Sequence, residues 1–571
     1  MKYLINKIYI ILILLTIVSN QSKSFALDNN IKYKSENISN YFYGIVSTNK
    51  DQNNKAFKHL KKVQLLKNRH SQFNVEFIRT LVLLEKFDHA FVFSKSVWKE
   101  NELFFETDLL LGLNFFINKD YKNAEKHFER LNKISRYNLF FEDFVGNVLI
   151  SWVKASQGNK EDSFIFLEKI PGPYGHLKSI QNIFLSCYFD IDDTKELLEN
   201  LITKKSYNFS RYNFFLINYL LSKNNTKEAV NIVENARKKY NSNLLIKQTE
   251  IYLKEKKKKI NNFFDCKNPE DSLAEFFYVM ANLFASEKNY QMSNFYLRIS
   301  LYLNKNFLTN KALLAENFFF QDKNDLAINV YNSIKSIGSA YSWYASKSIA
   351  EILLETKGKE YSTKSLQSQF DLLPDPTYEN YYELADFYKQ NEYYEESIKY
   401  YSLALQKIKK NHPFVPKLLD RRGTSFERLG NWESAEKDLM ESLKILPNQA
   451  HVLNYLAYSW VDRGINLDKS LEMLKEAAKL KENDGYIIDS LGWAYYAKKD
   501  YVKAEPFLRR AVELLPLDPV INDHYADVLW MLNKNIQARH FWNSVLKLDN
   551  TESELKDKIN KKLIFGIFKK L

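Results

Sequence analysis

Glycine and proline are scarce in this 571-residue chain, at 14 and 11 residues, and their scarcity excludes most turn-rich β architectures. Long element interiors remain, and 15% aromatic residues supply their filling. Cysteine occurs twice, at Cys187 and Cys266, too few for a disulfide scaffold or a cysteine-built metal site. An oxidising compartment permits the two to pair, but nothing in the sequence brings them within reach. Also missing are the spacings that carry chemistry: H-E-x-x-H, G-x-S-x-G, G-x-x-x-x-G-K-[ST], C-x-x-C and a dinucleotide-binding glycine fingerprint. The expectation is a protein that is not an enzyme and that needs no cofactor or metal.

No apolar run is long enough to span a bilayer, which takes about 20 residues. The apolar stretch near the start, "IYIILILLTIV", is eleven residues from Ile8 to Val18, preceded by Lys2 and Lys7. "SKSFA" follows, with small residues at Ser24 and Ala26. Charged start, short apolar centre and small-residue exit form the pattern of a signal peptide over 1–26, cleaved after Ala26. An uncleaved anchor is the alternative. No cysteine follows the apolar run, so a lipid-anchored amino terminus is not expected. Removing 1–26 takes away Lys2, Lys7 and Lys23, and the formal +13 falls to about +10. That thin excess, on an exported chain, argues against nucleic acid; with the signal peptide cleaved, the expected location is a periplasm.

What is present is a period. Gly492 is followed twelve residues later by Ala504, then by Leu508, Ala511 and Pro516. Gly423 heads the same series, Ala526 heads it without the proline, and Ala457 heads it with one residue inserted (Ser470, Leu474, Ala477), so successive anchors are 34, 35 and 34 apart. Two antiparallel helices approach closely only where their contact residues are small, and large residues then fill the space around that contact. Each helix pair buries one face and needs a stacked neighbour for the other. Weaker units share the spacing: Gly44/Ala56/Leu60, Ile78/Ala90/Ser94, Gly112/Ala124/Phe128, Ser151/Ser163/Leu167, Ile217/Ala229/Val233, Ala281/Ser293/Leu297, Ala315/Ala327/Tyr331, a worn unit near Ile349, and Ala385/Ser397/Tyr401. The fold class is therefore all-α, a superhelical solenoid of roughly 13 to 15 helix pairs resembling the tetratricopeptide repeat (TPR).

Five stretches follow: the signal peptide 1–26, degenerate repeats over 27–265, TPR-like repeats over 266–376, well-formed repeats over 377–550, and a capping helix over 551–571. A membrane-surface helix is the alternative for that basic, apolar tail. Pro506 departs from the pattern by standing inside a second helix.

With the anchor as repeat position 8, positions 2, 5, 9 and 12 of the first helix form the face opposite the packing face. In such solenoids that face lines the concave groove. Position 5 reads Asp420, Asn454, Asp489, Asp523 over the last four repeats; position 9 adds Tyr458, Trp493 and Asp527; position 12 adds Tyr496 and Trp530; position 2 adds Tyr486. Exposed aromatic clusters and Tyr/Trp anchors mark interfaces, so these ten residues are the candidate partner-binding site. The bland reading is that the carboxylates bond neighbouring helices and the rings cover the groove floor. His451 and His524 read as ordinary helix-face histidines. Asp489 and Asp523 occupy equivalent positions of adjacent repeats, but a shallow groove cannot desolvate them for acid–base work.

The segments "RRGTSFERLGNWESAEKDL", "VLNYLAYSWVDRGINLDKSLEML", "DGYIIDSLGWAYY" and "DPVINDHYADVLW" are similar to an exported alphaproteobacterial TPR family. More distantly, the chain resembles an outer-membrane TPR lipoprotein adaptor that brings a carboxyl-terminal processing protease to cell-wall hydrolases. The resemblance implies a scaffold for envelope proteins or peptides, with a processing protease or cell-wall hydrolases among the expected partners. It departs from the adaptor in lacking the lipid-attachment cysteine, and peripheral membrane contact stays open. A cell-wall polymer or carbohydrate-binding role is the alternative. Acidic position-5 residues disfavour a terminal carboxylate as ligand and suit a neutral or basic peptide.

Overall fold

The computed structural model describes residues 34–135, 143–204, 208–240, 242–255 and 264–567. The expected signal peptide and cleavage site lie outside these residues. Thirty α-helices and four short 3-10 segments, with no strand, make up the described secondary structure. The chain divides into two compact units, the first ending at Ala345 and the second beginning at Ser346.

The repeat period becomes helix pairs for the reason its spacing implies. At Gly492 an added Cβ would stand 2.6 Å from Leu508 Cγ, so the leucine sixteen residues on occupies the space that the missing side chain leaves. Ala504, Leu508 and Ala511 are fully buried, and burying one leucine contributes about 2 kcal/mol. Asp484 and Asp518 cap the helices Gly485–Ala497 and Pro519–Met531, each accepting two backbone N–H bonds. The residue seven past the anchor is left-handed in repeat after repeat: Asp51, Lys119, Asn224, Lys288, Glu392, Lys499, Asn533. Among the described residues glycine holds that place at Gly158, Gly430 and Gly464.

That turn also resolves repeats the sequence left blurred. Asp190 is left-handed, which makes Ile183 an anchor between the helices Gly175–Tyr188 and Thr194–Thr203. The worn unit near Ile349 is anchored one residue later. Ala350, Ser362 and Leu366 are buried there, and Ser362 Oγ donates to the Ala350 carbonyl at 2.5 Å.

The first unit is wound back on itself. Helix Tyr290–Leu303 packs against Ser71–Leu83; Phe87 stacks on Tyr302 at 4.0 Å, Arg298 pairs with Glu85, and Lys323 with Asp51 at 2.7 Å. Cys187 and Cys266 are joined by a disulfide, their Cα atoms 5.9 Å apart. A buried ion pair, Arg211 with Glu275, ties the start of helix Tyr212–Ser222 to Pro269–Ser286, and Arg211 also donates to Asn310.

The second unit is a run of helix pairs ending in a single helix, Ser553–Phe565, packed on Asn535–Val545. Pro506 is accommodated within helix Tyr501–Leu514 because it lies on the exposed face. The carbonyl it deprives is that of Val502, itself 76% exposed, so water takes the lost bond.

Candidate functional site

The groove face of the second unit is built from one side of each first helix, and its two ends differ. At the carboxy-terminal end the chain supplies its own occupant. Lys562, from Ser553–Phe565, donates to the carboxylates of both Asp523 and Asp527 at 2.8 Å. Asp527 also accepts from Trp542 Nε1 at 3.1 Å. Gly566 presses on Trp530 so closely that a Cβ there would stand 2.1 Å from Cζ2. Positions 5, 9 and 12 of the last repeat are thus covered by the final helix and the residues just after it.

Burial, with Asp523 alongside, pushes the Asp527 carboxyl up to about 7 even with Lys562 in place. Above that pH Lys562 neutralises a charged Asp527 as well as Asp523, whereas below it Asp527 carries a proton and the lysine matters less. We expect Lys562→Met to speed hydrogen exchange of 553–565 by about tenfold at about pH 8 and by less at about pH 5. An equal effect at both would show that the lysine holds the helix by packing alone.

One repeat earlier, His524 Nδ1 lies 2.9 Å from Asp489 Oδ2. Burial opposes a charge on the ring, but Asp489 outweighs it and holds the His524 pKa above its ordinary value. Trp493 stacks on Tyr496 at 4.5 Å and on His524 at 3.9 Å, both nearly parallel. Tyr496 in turn meets Tyr501 edge to face at 5.2 Å. These aromatics form a stacked cluster engaged with its own chain. Tyr458 is half-buried, its hydroxyl pushed up to about 12 by burial and by Asp489. Tyr486 is the open ring, 58% exposed.

Toward the amino-terminal end of the face, charges cluster but pair less completely. Lys389 donates to Thr424 Oγ1 at 2.6 Å, and burial brings its pKa down to about 8. Asp386 accepts from the Tyr401 hydroxyl. Asp420 is 7% exposed, with His451 Nε2 at 4.0 Å.

Of the ten residues singled out by periodicity, Asp489, Trp493 and Tyr496 are brought together around His524. Asp523, Asp527 and Trp530 are brought together under the tail. Asp420, Asn454, Tyr458 and Tyr486 line the remaining face. Sequence reasoning missed His524 as a partner, together with Lys562, Lys389 and Arg421. The period held one signal for them: His524 and Arg421 both stand at repeat position 6, and position 6 of one first helix reaches position 5 of the helix before, as His524 reaches Asp489.

The Tetratricopeptide repeat family profile matches residues 378–406. A TPR repeat-containing protein of Pseudomonas aeruginosa is 33% identical over 113 residues, 20% of this chain; the match spans 19% of that relative's length. Among solved structures, yeast Tom70 aligns over 79% of this chain and 93% of its own at 15% identity, with a TM-score of 0.34. A thermophilic TPR protein of Thermus thermophilus aligns over 33% of this chain and 100% of its own, at 18% identity and a TM-score of 0.29. Helix pairs on a 34-residue period, with residues 378–406 matching the family model, give this chain an all-α solenoid fold of the tetratricopeptide-repeat type.

Proposed function

We propose that the protein is an exported, non-enzymatic scaffold that binds segments of other envelope proteins along the groove of its second unit. The observation that carries this reading is the chain's own tail. The last repeat receives a lysine between two carboxylates and a glycine backbone against an indole, so polypeptide is a chemistry this face accommodates. The part of the face left for a partner runs from Asp420 past Tyr458 to Tyr486. Export and envelope partners rest on the amino-terminal sequence and the family resemblance, and a disulfide suits an oxidising compartment.

The test is capture from envelope extract on the immobilised full chain. Tyr458→Ala together with Tyr486→Ala should weaken protein partners by about tenfold or more, as loss of aromatic anchors does. Glycan lost with no change in protein would favour a cell-wall polymer ligand. Undiminished protein capture would move the site elsewhere.

A further inference from the structure

The last repeat ends on an edge where large apolar side chains stand in the open among cations. Ile536 is 88% exposed, Ile564 69% and Phe565 63%. They lie on different helices, and two contacts bring those helices together here. Arg539, one turn after Ile536 in Asn535–Val545, donates to the carbonyl of Leu563. Gly566 lies against Trp530, near the close of Pro519–Met531. The end of the final helix therefore meets the turn that joins the two helices of the last repeat. Val502, also open, holds the place of Ile536 one repeat earlier.

A capping element ordinarily presents a polar outer face, since no further repeat stacks on it. Ser553–Phe565 keeps to this in its first half and departs from it at its end. Its inner face is accounted for: Ile559 is fully buried, and Lys562 and Gly566 turn to the groove. Ile564 and Phe565 remain largely outside that contact. The charges exposed on the same stretches are Lys534, Arg539 and Lys561. The acidic residues of the final helix, Glu554 and Asp557, stand in its first half, and Glu554 is paired with Lys558 at 2.8 Å. Beyond the described residues the sequence runs Phe568-Lys569-Lys570-Leu571, adding two lysines directly after this edge.

We propose that this edge docks on an anionic phospholipid bilayer. Ile536, Ile564 and Phe565 dip into the boundary of the acyl region, and Lys534, Arg539 and Lys561 meet the lipid phosphates. Charge and shape together select this occupant. The apolar side chains project from a rim instead of lining a groove, so a protein partner would need a separate pocket for each. Lipid yields around each of them. A second copy docked symmetrically would set these cations against their own equivalents. Among the described residues no helix is long and apolar enough to cross a membrane, so the contact is peripheral.

The experiment is vesicle co-sedimentation of the chain from Leu27, without the apolar leader, which would bind lipid by itself. Vesicles of phosphatidylglycerol mixed with phosphatidylcholine should bind it, and phosphatidylcholine alone should bind it at least about tenfold more weakly. Ile564→Ser with Phe565→Ser should weaken binding to the anionic vesicles by about tenfold or more, and Ile536→Ser by a smaller factor. Lys534→Glu with Lys561→Glu should do the same and flatten the fall of binding with added salt. All these side chains are exposed, so every variant should keep the melting temperature of the wild type. Equal binding to both vesicle types, or to neither, would overturn the proposal. So would loss in the tail variants with none in Ile536→Ser, which would make the contact that of a tail alone. If the same variants instead abolished self-association, or capture of an acidic protein, while vesicle binding stayed absent, the edge would be a protein interface.

Discussion

Reducing the Cys187–Cys266 bond should lower the stability of the first unit by about 4.5 kcal/mol, the chain-entropy value for so long a loop. The two cysteines are 79 residues apart, and the bond closes that whole stretch in the unfolded chain. It fastens helix Gly175–Tyr188 beside the entry to Pro269–Ser286, across repeats whose packing pattern is the most degraded in the chain. A stretch with few small anchors gains less from stacking, so a covalent closure matters more there. Denaturant unfolding of the full chain, with and without reductant and with Cys187→Ser, checks this. The second unit contains no cysteine and serves as the internal control. An unchanged first transition would mean that the bond adds nothing beyond the packing around it.

Arg211→Met should cost the same unit about 3–5 kcal/mol, the usual penalty for leaving one member of a buried ion pair alone. Glu275 has no exposed side-chain surface, and both its oxygens accept from Arg211, at 2.8 and 2.7 Å. Burial works against the guanidinium charge, but Glu275 beside it more than compensates and raises its pKa. Arg211 also lies over the Tyr278 ring at 3.9 Å and donates to Asn310, so it joins segments 64 and 99 residues away. Arg211→Met with Glu275→Leu should recover most of the loss, since the stranded charge is then gone. A double-mutant cycle that proves additive would mean the two side chains act separately.

The groove shows how far a period reaches. Positions 5, 9 and 12 could be assigned to one face from spacing alone, because 3.6 residues per turn leaves no other arrangement. Which of those residues stay available could not. Asp489 is bonded by a histidine 35 residues later, which the period could have suggested from its position-6 register. Asp523 and Asp527 are bonded by Lys562 from a helix outside the repeat, where no spacing rule applies. The aromatics of the candidate site divide likewise. Trp493 and Tyr496 stack with their own chain, whereas Tyr486 stays open.

Local and nearest-neighbour physics was therefore written in the sequence. Small residues at the anchor and twelve later, with a large one at sixteen, dictate helix pairs stacked on a 34-residue period, because every contact involved lies within about one repeat. The left-handed turn after each anchor belongs to the same class, although its usual residues here are Asp, Asn, Lys and Glu rather than glycine. Only the tertiary structure decided the rest. The closure of the first unit, seen in Phe87 on Tyr302 and Arg298 with Glu85, joins residues more than 200 apart. The cysteine pair and Arg211–Glu275 are likewise long-range, and Lys562 reaches the groove from beyond the array. A repeat sets the rotation from each unit to its neighbour, and small rotations summed over many worn repeats decide which distant surfaces meet. No single spacing in the chain records that sum.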